Sequence, residues 1–81
     1  EENSAKTWIS IHPNPTTGMI VVSGKNLKQA EVVNILGQCM ATAQGKDETL
    51  QIDIANLPLG VYFVDITDSE GRKFVRKVVK E

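Results

Sequence analysis

The chain contains one cysteine and one histidine among 81 residues, and these two scarcities exclude more functions than any residue present establishes. A lone thiol, Cys39, cannot form an intrachain disulfide. Structural zinc requires four Cys or His ligands, so Cys39 and His12 supply half a set. Any Cys-His or Ser-His nucleophile would depend on His12, which stands directly before Pro13 with no acid beside it. Glycine-rich phosphate loops are missing as well. The expectation is a protein without metal, without cofactor and without catalysis. Asp65, Asp68 and Glu70 cluster around one turn, but they lack the dense spacing of a calcium loop and read as an acidic turn.

Other shortages set the class. A net charge of −1 gives no global attraction to nucleic acid or to an anionic membrane. No apolar run approaches the roughly 20 residues of a membrane-spanning helix, so direct membrane insertion is not expected. With one Trp, one Tyr and two Phe, the core must be built from Val, Ile and Leu, whose β-branched members favour strands. A chain of this length is a single small domain.

The strand reading follows from alternation. Leu50, Ile52 and Ile54 point one way and the intervening polar residues the other, a half-buried strand. Further strand-length runs cover residues 8–12, 18–23, 30–35, 38–43, 60–67 and 72–80, making seven with 49–54. Turn chemistry separates them: Leu36-Gly37 after Asn34-Ile35, and Asp68-Ser69-Glu70-Gly71 as a hairpin with glycine at the left-handed position. Pro13 and Pro15 cannot donate ladder hydrogen bonds, so the chain leaves the sheet there. Ala55-Asn56-Leu57 can make one helical turn, which Pro58 and Gly60 stop. Seven short strands at this spacing predict an all-β, seven-stranded immunoglobulin-like β-sandwich with Greek-key-type connections, lacking the paired cysteines of antibody domains. Cys39 alternates with Ala41 and Ala43 and is expected to be small and buried.

The last strand carries the charge asymmetry. Five of the nine basic residues, Arg72, Lys73, Arg76, Lys77 and Lys80, lie in the final ten positions. Neither of its faces is clean, which predicts an edge strand whose long cations lay their stems on apolar surface and keep their heads in water. Such an edge suits strand addition and charge complementarity, or pairing of two copies as a homodimer. Residues 1–7, Glu1-Glu2-Asn3-Ser4-Ala5-Lys6-Thr7, resemble a linker, and residues 8–81 form the domain proper. Trp8 offers a single aromatic for an alternative reading, an adhesive or carbohydrate-binding sandwich of a secreted protein.

Four blocks in order give the chain a family likeness: Pro13-Asn14-Pro15 followed by Gly18; Val33-Asn34-Ile35-Leu36-Gly37-Gln38; Leu57-Pro58-Leu59-Gly60-Val61-Tyr62-Phe63-Val64; and Lys77-Val78-Val79-Lys80. The sequence resembles the C-terminal sorting domain of the type IX (Por) secretion system of Bacteroidetes-type bacteria. That resemblance implies a secretion signal attached to an upstream cargo in the same precursor. It implies passage through the periplasm, reading by the outer-membrane translocon, removal by a sortase-like protease, and delivery of cargo to the cell surface or medium. Gly60 and Tyr62 match the family's glycine–tyrosine motif, and Lys77 and Lys80 its basic terminal motif. The resemblance thus implies recognition through Arg76, Lys77, Val78, Val79 and Lys80, with Pro13, Asn14, Pro15, Gly18, Gly37, Gly60 and Tyr62 as family-motif positions. Glu81 stands one residue past the lysine that commonly closes the motif, and the cut is expected in or before residues 1–7.

Overall fold

A computed structural model describes residues 9–45 and 48–81. The expected linker and Trp8 lie outside them. Seven strands form: β1 (Ser10–His12), β2 (Met19–Ser23), β3 (Leu27–Val33), β4 (Cys39–Gln44), β5 (Thr49–Asp53), β6 (Gly60–Asp68) and β7 (Lys73–Lys80). They make two antiparallel sheets, ordered β1-β2-β5 and β4-β3-β6-β7. The chain changes sheet after β2, β4 and β5, while the β3–β4 and β6–β7 hairpins stay within one. This is the expected immunoglobulin-like sandwich.

The core lies between the inner faces. Ile20, Val22, Leu50, Ile52 and Ile54 come from the smaller sheet and its exit; Leu27, Ala30, Val32, Tyr62, Val64, Ile66 and Val78 come from the larger. Each fully buried aliphatic of this kind stabilises the fold by about 1.5–3 kcal/mol, and aliphatics supply nearly all of the filling. β3 starts at Leu27, earlier than its alternation suggests, because a register shift between Leu27 and Gln29 keeps both Leu27 and Ala30 inward.

A second register shift corrects the reading of Cys39. Ala41 pairs with Val32 but Cys39 pairs with Val33, so Met40 is the extra residue of a bulge. One inserted residue reverses the side-chain parity, and Cys39 stands exposed on the face opposite Ala41 and Ala43.

The two hairpins are fixed by side chains as well as glycines. Asn34 Oδ1 accepts from the amides of Leu36 (2.9 Å) and Gln38 (3.0 Å), and Gly37 takes φ 83°. Asp68 Oδ1 accepts from the amides of Glu70 and Arg72, both at 2.9 Å, and its Oδ2 accepts from Arg72 Nε at 2.8 Å.

Candidate recognition surface

All four sequence blocks meet at one pole of the sandwich. The convergence is built on β7. Its residues 73–80 pair in unbroken register with β6, from Thr67↔Lys73 to Gly60↔Lys80. Even-numbered residues of β7 therefore turn their amides and carbonyls toward β6, and odd-numbered ones turn theirs to the free side.

On that free side the Pro13-Asn14-Pro15 segment folds back onto the strand. Asn14 Oδ1 accepts from Val79 N (3.0 Å), and Asn14 Nδ2 donates to Lys77 O (2.9 Å). Thr16 N donates to Val79 O (2.9 Å), and Glu81 N donates to Thr16 O (2.8 Å). Thr16 thus forms a parallel bridge with Lys80. Its hydroxyl is buried, donating to Met19 O at 3.0 Å and accepting from Gly18 N at 3.1 Å. The distal half of the edge is closed by the domain itself.

Lys80 is the largest departure from expectation. It is 6% exposed, and its Nζ donates to Leu57 O at 3.0 Å. Its even position in the strand aims it inward, beside Val78, where the ammonium meets a carbonyl of the β5–β6 connection instead of water. Lys77 points outward and is exposed; Val79 shares that outer face half-buried; Arg76 is half-buried on the inner face. Arg76 Nη1 donates to Val75 O at 2.9 Å.

The Leu57–Tyr62 block adds the next wall. Tyr62 is 5% exposed, and its hydroxyl donates to Pro58 O at 2.7 Å, pinning the connection four residues upstream. Gly60 takes φ 145°, a conformation that L side chains rarely adopt. Together these hold Leu59 out into solvent at 72% exposure. Across a shallow cleft lined by Asn34, Ile35, Leu59, Gly60, Val61 and Tyr62, the β3–β4 turn presents Ile35 and Leu36, 74% and 78% exposed. Sequence reasoning missed this apolar pole. The available signal was a pair of large aliphatics at the centre of a tight turn, where polar residues are usual.

The remaining motif positions are dispersed in role. Pro13 and Pro15 are exposed in the returning segment, and Gly18 is buried, its carbonyl accepting from Ile54 N. The acidic residues do not converge: Asp65 faces outward on β6, whereas Asp68 is buried and committed to its turn. Burial pushes the Asp68 carboxyl up, but the hydrogen bonds from Arg72 and the Glu70 amide, with the Arg72 charge, outweigh it and hold the pKa below its ordinary value. That same pairing raises the Arg72 pKa. Among the described residues no three metal-ligating side chains come together. His12 on β1 and Cys39 on β4 belong to different sheets, and both are exposed.

A family model described as the secretion system C-terminal sorting domain matches residues 10–81. The chain belongs to that family. Such a domain is a sorting signal for type IX secretion and is not itself catalytic, and it directs a protein across the outer membrane to the surface or the extracellular space. The chain is also similar to a beta-agarase D from Zobellia galactanivorans, 28% identical over 71 residues. That match covers 88% of this chain and spans 14% of the agarase.

Proposed function

We propose that this sorting domain is read at the pole where its four sequence blocks meet, with β7 as the strand that joins them. The observation carrying this reading is the closure of β7 by Asn14 and Thr16 on one side and by the Leu57 carbonyl at its tip. The basic terminal block then has two roles. Lys77 and Val79 lie on the outer face and offer direct contact to a reader. Val78 and Lys80 act through the fold, holding the Pro13-Asn14-Pro15 and Leu57–Tyr62 blocks in one surface; Arg76 shields its edge.

In this reading an upstream cargo precedes the domain, residues 1–7 are the linker where a sortase-like protease cuts, and the folded module passes through the periplasm before the translocon takes it. The chain itself performs no chemistry. Pole residues such as Leu36 and Leu59 are solvent-exposed, so replacing them tests recognition without disturbing the core.

The test is export of a reporter fused upstream of residues 1–81 in a type IX-competent bacterium. Leu36→Asp with Leu59→Asp is expected to cut surface reporter at least tenfold while the purified domain keeps its wild-type unfolding midpoint. Normal export by that double variant would remove the pole from the recognition surface.

A further inference from the structure

The half of β7 that the domain leaves open has a chemistry of its own. Outward backbone groups fall on odd residues, as the bonds at Lys77, Val79 and Glu81 establish. By the same parity the amides of Lys73, Val75 and Lys77 face the free side, and among the described residues none meets a backbone partner there. Of the outward carbonyls, Val75 O is covered by the Arg76 guanidinium at 2.9 Å and Lys77 O by Asn14 Nδ2 at 2.9 Å. The side chains of Lys73, Val75 and Lys77 stand in a row on the outer face, with Val75 57% exposed. Alternate residues in a strand are about 6.7 Å apart, so the two ammonium-bearing positions flank Val75 at either end of about 13 Å. Ion pairs among the described residues involve Arg72, not these lysines. Asp65 on β6, directly beside Val75, is the nearest acidic position and sits on the side away from the open edge.

A second copy fits this edge badly. Antiparallel self-pairing centred on Val75 sets Lys73 of one copy opposite Lys77 of the other, twice, and like charges directly opposite destabilise a ladder. A strand with carboxylates at those two places turns the same geometry favourable.

We infer that residues 73–77 are an acceptor edge for an extended segment of a partner protein, carrying carboxylates four residues apart with a β-branched residue midway. The added strand bonds to the amides of Val75 and Lys77, its carboxylates meet Lys73 and Lys77, and Arg76 swings off the Val75 carbonyl to admit it. The inference rests on the sorting reading, since it specifies a partner for the same strand.

The test uses the 81-residue chain and a synthetic threonine-rich heptapeptide with glutamate at its second and sixth positions and valine at its fourth. The control peptide has lysine for glutamate. Expected results are slowed amide exchange at Val75 and Lys77 with the acidic peptide, and at least tenfold weaker binding of the lysine peptide. Val75→Pro removes an outward amide without touching the β6 ladder and is expected to abolish capture. Lys73→Glu with Lys77→Glu is expected to reverse the peptide preference. No capture, equal affinity for both peptides, or capture unchanged by Val75→Pro would overturn the inference. So would sedimentation showing a dimer that protects the same amides without peptide. Export of a reporter by the unaltered chain reads the sorting function separately, so each can fail without the other.

Discussion

The two ends of the final strand solve one problem in opposite ways. Toward its end, β7 has a neighbour: Asn14 and Thr16 satisfy Val79 and the Lys77 carbonyl, and Lys80 is buried with its ammonium on Leu57 O. Toward its start, β7 has none among the described residues, and the row Lys73, Val75, Lys77 is exposed. An unpaired edge invites other strands, and lysines on it repel copies of itself while leaving it open to an acidic partner. The comparison teaches that a lysine's role here depends on its parity and its position along the strand, not on membership of a basic run. Lys77 and Lys80 are three residues apart, and that odd spacing places one in solvent and one in the interior.

Charge reversal separates the two halves most sharply. Lys80→Glu sets a buried carboxylate against the Leu57 carbonyl and is expected to destabilise the domain by about 3–5 kcal/mol, read as the urea midpoint. Lys80→Met keeps the apolar stem and loses only the hydrogen bond, a cost of about 1–2 kcal/mol. Equal losses for Lys80→Glu and Lys73→Glu would show that the two halves do not differ.

The clasp is the next place to press. Asn14→Ala leaves Val79 N and Lys77 O without their partner and is expected to cost about 1–2 kcal/mol, because bonds to otherwise unpaired backbone groups are lost together. Amide exchange at Val79 should quicken toward that of Val75, extending the open half into the closed one. Unchanged exchange at Val79 would mean that Thr16 alone closes the edge.

A smaller, pH-dependent effect belongs to the hairpin that launches the open half. The folded pKa of Asp68 lies below its ordinary 3.8. A depressed carboxyl stabilises the fold fully above the unfolded value, and the contribution is lost as pH falls through the folded one. Lowering the pH from 7 to below about 4 should therefore reduce the urea midpoint of the natural chain more than that of Asp68→Asn. Parallel pH curves for the two proteins would show that the Asp68 charge does not support the turn.

Much of the fold was legible because the strands alternate and the turns carry their own chemistry. Leu50, Ile52 and Ile54 announced β5, and Asp68-Ser69-Glu70-Gly71 announced the last hairpin. What alternation alone cannot show is a bulge: nothing in Gln38-Cys39-Met40-Ala41 marks Met40 as the extra residue, and alternation alone puts Cys39 on the wrong face. The recognition surface was legible as four blocks in order but not as one place. Asn14 and Val79 are 65 residues apart in sequence, so their hydrogen bond is a tertiary contact that local pattern does not encode. Lys80 departs from the solvated state usual for a terminal cation, and a single carbonyl acceptor on a remote loop leaves no trace in local pattern.

The smallest expected effect on stability is also the most informative about use. Lys73→Ala with Lys77→Ala removes two exposed charges that have no ion-pair partner among the described residues, and surface changes of this kind stay within about 0.5 kcal/mol. If those lysines served the fold, their removal would lower the unfolding midpoint, as losing Lys80 does. If they serve an acidic partner, the midpoint stays and only binding and export respond, with a salt dependence that shrinks relative to the natural chain because two screened attractions are gone. An unfolding midpoint that falls as far as that of Lys80→Met would erase the distinction between the halves and return the whole strand to a structural role.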